Sequence, residues 1–428
     1  MMRSAFRILI LLVAGTVLRA QSPFAFSEIS KLPATAVKDQ GQTGTCWAFS
    51  SASFLESEVE RLGKGTLDLS EMFIVRHVYR LKCDNYVRRQ GTANLSQGGL
   101  SHDFMNAVQR YGIVTEEAYP GKKDRSAPHN HTELEKQLKT MCDQFVEMGK
   151  KGALPPDWLA RVDTLLDGFF GPLPEKFKYN GGEFTPRSFR DFLGINPKQY
   201  IHLTSFTHHP YHGAFVLEVP DNFSNGSFYN LPIEDLMRII QNALQNGYTV
   251  EWDADVSNEG FSRQKGLAIV PKKQWADKTG DEQKNTFVLV EEEPMVHQTY
   301  RQEMFDRQVT QDDHLMHIVG MADEASSGTF FIVKNSWGAA NDQKGYVYAS
   351  EAYVRLNTIS ITLHRDALPQ DLQKRMALAS GQGATAPTPV AQPVQPNQVA
   401  PDSNLKKLQK GTEPASKPKV SPKQESEY

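Results

Sequence analysis

The most constraining feature of this sequence is a short polar loop that leads directly into a helical pattern at Cys46. Gln40 to Gly44 is polar and contains glycine. Apolar residues then recur on one face as far as Leu62, and Gly63 ends the pattern. Cys46 is therefore expected to begin a helix, where unpaired backbone N–H groups favour an anion and lower a thiol pKa. This position predicts a nucleophilic thiol. The alternative is a buried structural cysteine, the commoner fate of a lone cysteine.

Two apolar runs later in the chain predict neighbouring strands that carry a histidine and an asparagine. Residues 315–321 and 329–334 are separated by a short turn, so we expect them to pair as a hairpin. His317 lies in the first strand and Asn335 directly follows the second, which allows the two side chains to meet. His314 stands in the polar lead-in to the first strand, so His317 is the predicted general base.

The segment Gln-Gly-Gln-Thr-Gly-Thr-Cys-Trp-Ala-Phe-Ser, which begins at Gln40, resembles the active-site segment of papain-like cysteine peptidases. The resemblance implies that Cys46 is the nucleophile. Its backbone N–H and the Gln40 side chain would then stabilise the oxyanion of the intermediate. His317 would act as the base, and Asn335 would orient its ring. Trp337, in the sequence Asn-Ser-Trp-Gly, would shield that hydrogen bond from water.

Thr43 indicates the branch of the family. Papain-type enzymes carry a cysteine three residues before the nucleophile, where this chain has Thr43. The chain therefore resembles the bleomycin hydrolase and aminopeptidase C branch, which also lacks that cysteine. In this branch Gly98 and Gly99 match a Gly-Gly element whose backbone binds extended substrate, and such close approach tolerates no side chain.

The resemblance also implies the fold class, α+β. We expect a papain-like two-subdomain fold, with a helical subdomain and an antiparallel sheet or barrel subdomain on either side of a cleft. Roughly 270 residues separate the nucleophile from the predicted base, against about 130–150 in papain-like enzymes. Helical patterns over about 121–195 predict that much of the surplus is a helical insertion. The sequence leaves open whether Cys83 and Cys142 form a disulfide. It also leaves open whether the protein forms a homo-oligomer.

The two ends of the chain differ from its middle. Residues 1–20 combine Arg3 and Arg7 with an apolar run too short to span a membrane. This pattern is typical of a signal peptide, with cleavage expected near Ala20. Residues 371–428 are predicted to form a Pro/Lys-rich flexible tail, which leaves a peptidase domain at 21–370. The mature protein is expected to be exported, periplasmic or secreted, without stable membrane insertion.

Composition argues against other function classes. The chain has 47 Lys and Arg residues against 50 Asp and Glu, a net charge of -3. It therefore lacks the excess of basic residues that would indicate nucleic-acid binding. Three cysteines are too few for a disulfide scaffold or a four-cysteine zinc site. His208, His209 and His212 form a metal-like group, but they lack helix-borne spacing and a supporting carboxylate pair. No metal and no cofactor is expected.

These features predict an exported cysteine peptidase that attacks peptide bonds through the Cys46 thiolate and a thioester. Aminopeptidase action of the bleomycin hydrolase type is the first expectation, with peptides as substrates. The resemblance implies that in such enzymes the chain's own carboxyl terminus lies in the cleft and recognises the substrate's free amine. Here the chain continues into the tail instead. The alternatives are a papain-like endopeptidase and a non-catalytic binding protein on the same fold.

Overall fold

A computed structural model describes residues 23–380, which lie in a single compact unit. The predicted signal peptide (1–20) and the chain from 381 to 428 lie outside the described residues. The first residues predicted to belong to the tail form the helix Gln370–Ser380. In this helix Leu372 is fully buried, and Asp371 pairs with Arg238 at 2.7 Å. The predicted boundary at 371 is thus too early, because this segment buries apolar surface and is held by a surface ion pair.

The described residues contain eleven α-helices and thirteen β-strands. The helices are α1 (Cys46–Arg61), α2 (Glu71–Arg88), α3 (Ser101–Tyr111), α4 (Thr132–Lys150), α5 (Trp158–Phe170), α6 (Pro186–Leu193), α7 (Ile233–Gln245), α8 (Gly280–Asn285), α9 (Gln298–Asp306), α10 (Glu351–Asn357) and α11 (Gln370–Ser380). The strands are β1 (Phe26–Lys31), β2 (Phe177–Tyr179), β3 (Gly182–Phe184), β4 (Tyr200–Thr204), β5 (Ala214–Val216), β6 (Ser227–Asn230), β7 (Val250–Ala254), β8 (Phe261–Ser262), β9 (Leu267–Ala268), β10 (His314–Glu324), β11 (Gly328–Lys334), β12 (Tyr346–Ser350) and β13 (Thr358–His364).

Helix α1 is almost completely enclosed by the rest of the protein. Every residue from Cys46 to Val59 is buried, including four serines. Their hydroxyl groups bond to surrounding elements: Ser50 to the Met316 carbonyl oxygen, Ser51 to the Glu251 carboxyl group, Ser53 to the His317 ring, and Ser57 to the Pro33 carbonyl oxygen. Buried hydroxyl groups require such partners. The four bonds therefore determine which surfaces α1 lies against.

The predicted helical insertion packs on α2. Its two expected helices are present as α4 and α5, followed by the small β2–β3 hairpin and α6. Arg76 on α2 holds Asp163 and Asp167 of α5 at 3.0 and 2.7 Å. Cys83 on α2 and Cys142 on α4 are free buried thiols that share a hydrogen bond. In this structure they form no disulfide.

The large sheet forms the second subdomain. Its strand order is β5-β6-β4-β13-β7-β10-β11-β12-β9-β8, and β1 pairs with β10 off this path. On one edge of β10, β7 pairs with its first half and β1 with its second, while β11 pairs along the other edge. The predicted hairpin is confirmed as β10 and β11, but its first strand begins earlier than expected, at His314.

The helical subdomain and the sheet subdomain each have a large apolar core. One core lies around α1 to α5, and the other lies between the sheet and α7. The α+β, papain-like architecture expected from the sequence is confirmed. Across residues 23–380, no helix combines the length and apolar character needed to cross a bilayer.

Candidate active site

Cys46 is the first residue of α1, and Thr45 is its N-cap. The first N–H groups of a helix have no intrahelical acceptor, so the Cys46 backbone N–H remains available to a ligand. The thiol is free and 8% exposed. The neighbouring Trp47 ring is fixed in place because its Nε1–H donates to the Gln97 carbonyl oxygen at 3.0 Å. The prediction that Cys46 begins a helix is confirmed.

Gln40 is held at both ends of its side-chain amide. Its Nε2 donates to the Thr43 carbonyl oxygen at 2.8 Å, and its Oε1 accepts from Ser336 Oγ at 2.7 Å. The Gln40 backbone N–H also donates to the Ser336 carbonyl oxygen at 2.9 Å. These bonds join the loop before the thiol to the residue that follows Asn335. An amide nitrogen carries two protons, so Nε2 keeps one for a further acceptor.

The histidine that meets Asn335 is His314. His314 Nε2 lies 2.8 Å from Asn335 Oδ1, and both side chains are buried. Trp337 stacks on the His314 ring with centroids 4.4 Å apart, so its indole lies over the ring that makes this hydrogen bond. The backbone N–H of Leu315, the next residue, donates to the Cys46 sulfur. This contact places the start of β10 beside the thiol.

The prediction that His317 meets Asn335 is wrong. Successive side chains of a strand point to opposite faces, so residues three apart, such as His314 and His317, cannot share one. His317 faces α1, where its Nδ1 lies 2.9 Å from Ser53 Oγ and its ring makes an edge contact with Phe54. It is fully buried, and burial together with the nearby Lys334 lowers its pKa well below the usual value. His317 is part of the core.

Burial dominates the electrostatics of the thiol and the imidazole. It raises the pKa of Cys46 to about 12, and Asp221, Asp253 and Asp312 push it in the same direction. Burial lowers the pKa of His314 to about 4. The expected lowering of the thiol pKa by the helix N-terminus is therefore outweighed by desolvation. An isolated charge on either group is unfavourable near neutral pH.

Gly98 and Gly99 have different surroundings. A Cβ atom on Gly99 would lie 3.2 Å from the Trp47 ring, whereas one on Gly98 would lie 1.8 Å from Asp221 Oδ2. Gly98 also accepts a short hydrogen bond from Lys82 Nζ through its carbonyl oxygen. Within the described residues, the backbone N–H and C=O of Gly99 make no hydrogen bond. Gly99 thus keeps its backbone free for an extended peptide, while Asp221 lies directly against Gly98. Substrate binding by both glycines stays a prediction.

Comparison with known proteins assigns the family. Residues 16–382 match the model of the peptidase C1-like family. The chain belongs to this family. It is a papain-like, cysteine-type peptidase, and the branch indicated by Thr43 is confirmed.

Two curated relatives illustrate that branch. The chain is 23% identical to aminopeptidase C of Listeria monocytogenes over 380 residues, 78% of this chain and 81% of the relative. It is also 23% identical to aminopeptidase G of Lactobacillus delbrueckii subsp. lactis over 389 residues, 81% of this chain and 85% of the relative. The crystal structure of PepW from Lactobacillus rhamnosis HN001 has a similar fold. Its TM-score is 0.66 at 20% identity, covering 83% of this chain and 86% of that one.

Three carboxylates near the thiol of this peptidase have little signature in the sequence. Asp253 is opposite Leu315 in the β7–β10 pairing, Asp312 precedes β10, and Asp221 comes from the loop between β5 and β6. The one local signal is the position of Asp312, two residues before His314. The approach of Asp221 depends on a long-range contact that no local pattern reveals.

The metal-like histidines gain one carboxylate in the fold. His208, His209 and Glu218 bring potential ligand atoms within 4.8 Å of one another, and His212 is not among them. Gln302 Nε2 donates to His208 Nδ1 at 3.1 Å, which leaves the ring proton on Nε2, the atom that faces Glu218. A metal would need that nitrogen unprotonated. Hydrogen bonding of the two histidines to Glu218 accounts for this cluster.

Proposed function

We propose that this peptidase is an exported cysteine aminopeptidase, which removes residues from the free amino terminus of peptides. The observation that carries the proposal is the position of Asp221 against Gly98. If the Gly98–Gly99 backbone holds the residues on the amino-terminal side of the scissile bond, Asp221 leaves little room for more of them. The names of the curated relatives, aminopeptidases C and G, agree with this assignment.

The proposed reaction begins with proton transfer from Cys46 to His314 as the thiol attacks the scissile carbonyl. Transfer within the pair avoids an isolated buried charge on either group. The Cys46 backbone N–H and Gln40 Nε2 then donate to the oxyanion. His314 protonates the leaving amine, and water hydrolyses the thioester. Asn335 accepts from the His314 ring and orients it throughout.

The proposal of export, to the periplasm or the medium, rests on the sequence of residues 1–20. If it is correct, mass spectrometry of protein recovered outside the cytoplasm will find an amino terminus near Gln21. An intact Met1 on the mature protein would contradict it.

Aminopeptidase action is tested with paired substrates. An aminoacyl reporter amide with a free amine should be cleaved at least about a hundredfold faster than its N-acetylated counterpart, because the acetyl group adds bulk and removes charge at the closed end of the cleft. The measurement is kcat/KM for both substrates. Cys46→Ala serves as the inactive control and should abolish turnover of both.

Each alternative has its own outcome in this experiment. Preferred cleavage of the acetylated reporter, or of internal bonds in a blocked peptide, would make the protein an endopeptidase. Failure to cleave either substrate, with Cys46 alkylated no faster than a free thiol in solution, would favour a non-catalytic binding protein.

A further inference from the structure

We propose that Gln97, held by Glu135 of the helical insertion, is a positioning residue for the oxyanion donor Gln40. The inference rests on the proposed reaction, in which Gln40 Nε2 donates to the oxyanion, and it applies to an aminopeptidase and an endopeptidase alike. Glu135 lies on α4, within the insertion at residues 121–195. The insertion thereby gains a role in the reaction as well as in packing.

One peptide group, between Thr43 and Gly44, connects the two glutamine side chains. Its carbonyl oxygen accepts from Gln40 Nε2 at 2.8 Å. Its N–H donates to Gln97 Oε1, also at 2.8 Å. The C=O and N–H of a trans peptide group lie in one plane and point in opposite directions, so a bond that fixes one also fixes the other. Gln97 therefore sets the direction of the carbonyl group that orients the Gln40 amide.

The Gln97 amide satisfies both of its partners in only one orientation. Its Nε2 donates to Glu135 Oε2 at 2.6 Å, while its Oε1 accepts from the Gly44 N–H. An ionised carboxylate only accepts and a backbone N–H only donates, so a flipped amide would lose both bonds. The main chain is held as well, because the Gln97 carbonyl oxygen accepts from Trp47 Nε1 at 3.0 Å. Both ends of Gln97 are thus fixed.

The start of the insertion also supports the loop before the nucleophile through its backbone. The Gln42 N–H donates to the His129 carbonyl oxygen at 2.8 Å, and the His131 N–H donates to the Gln42 carbonyl oxygen at 3.2 Å. A Cβ atom on Gly41, whose φ is +64°, would lie 2.4 Å from the His129 carbonyl oxygen. The insertion therefore supports this loop at two points, directly at Gln42 and through Gln97.

The test exchanges the two polar groups of the pair. Gln97→Glu places two carboxylates side by side at about pH 7.5 and should lower kcat by about tenfold to a hundredfold, since small displacements of catalytic groups have effects of this size. KM should change little, because the oxyanion forms only after the substrate has bound. In the double variant Gln97→Glu/Glu135→Gln both hydrogen bonds can form again, with the donor and acceptor of the pair exchanged. Its kcat should return to within about threefold of wild type.

The matched control is Gln137→Glu, measured with the same substrate. Gln137 Nε2 donates to Glu133 Oε1 at 2.9 Å on an exposed face of α4, so this variant creates a similar pair of carboxylates away from the loop. It should leave kcat and KM unchanged. The substrate is a leucyl reporter amide or its N-acetylated counterpart, whichever the wild-type enzyme cleaves faster. The thermal unfolding midpoint is recorded for every variant.

A second measurement asks whether Gln97 acts through Gln40. Gln40→Ala alone should lower kcat by about a hundredfold to a thousandfold, the usual loss for one oxyanion donor. In that background Gln97→Glu should lower kcat by less than about threefold more, because the side chain that it orients is already missing.

The outcomes separate this inference from the proposed function. An equal effect of Gln97→Glu in both backgrounds would overturn the inference, because Gln97 would then stabilise the structure without acting through Gln40. Failure of the double variant to recover would overturn it too. In both cases the proposed function stands, provided that the wild-type enzyme cleaves a reporter. If the wild-type enzyme cleaves neither reporter, the proposed function fails and the inference fails with it.

Discussion

Replacing His314 with alanine should lower kcat/KM by about a thousandfold or more, while the protein remains folded. A positioned general base contributes about 10²–10⁴-fold, and in the proposed reaction the same ring also protonates the leaving amine. The ring is oriented by Asn335 at 2.8 Å and by the stacked Trp337. Both contacts are lost in the variant, but neither anchors the core. The measurement is steady-state kinetics alongside the thermal unfolding midpoint, with partial rescue of turnover expected from added imidazole.

His317→Gln is the matched control for this prediction. His317 is fully buried against Ser53 and Phe54, so its replacement should cost about 1–3 kcal/mol of folding free energy. The folded fraction should keep kcat within a few-fold of wild type. Loss of turnover in folded His317→Gln, with His314→Ala still active, would restore the assignment made from the sequence and overturn the geometric one.

Replacing Glu251 with glutamine should stabilise the protein, on the order of 4 kcal/mol at pH 8. The Glu251 carboxyl group is 1% exposed; its Oε1 accepts from Ser51 Oγ at 2.5 Å, and its Oε2 has no donor within residues 23–380. Burial raises its pKa to about 8. The folded protein therefore retains a proton that the unfolded chain releases, which lowers stability as the pH rises between the two pKa values.

Glutamine is neutral at every pH and has nearly the same shape, so it removes this dependence. The two proteins should be about equally stable near pH 4, and the difference in unfolding free energy should grow up to pH 8. Urea unfolding at pH 4, 6 and 8 measures it. Glu147→Gln, on an exposed surface of α4, provides the control. A constant difference across this range would mean that Glu251 titrates normally in the folded state.

The sequence predicts well those parts of the site that local patterns encode. The loop-to-helix transition places Cys46, and the hairpin places Asn335 next to a histidine. Which histidine lies next to Asn335 depends on where β10 begins. Hydropathy identifies the apolar run from 315 but not His314, the first residue that pairs with a neighbouring strand. His314 and His317 are an odd number of residues apart and so lie on opposite faces of the strand. Placing the start of the strand at 315 excluded His314 and led to the choice of His317.

The three carboxylates near the thiol could not be predicted from local sequence patterns, for a different reason. Asp221, Asp253 and Asp312 come from a loop, from β7 and from the approach to β10, and only the folded chain brings these separate segments near the thiol. The helix Gln370–Ser380 extends past the predicted start of the tail, because Leu372 and Met376 pack against the core and Asp371 and Arg375 form ion pairs with Arg238 and Asp235.

The serine hydroxyls along α1 have a consequence for how the cleft works. Apolar contacts tolerate sliding of a helix along its axis, whereas hydrogen bonds specify both distance and direction. Bonds from Ser50 to β10 and from Ser51 to β7 therefore fix the axial position of the helix that carries Cys46 against the strand that begins with His314. The fold itself, through these bonds, sets the position of Cys46 relative to His314.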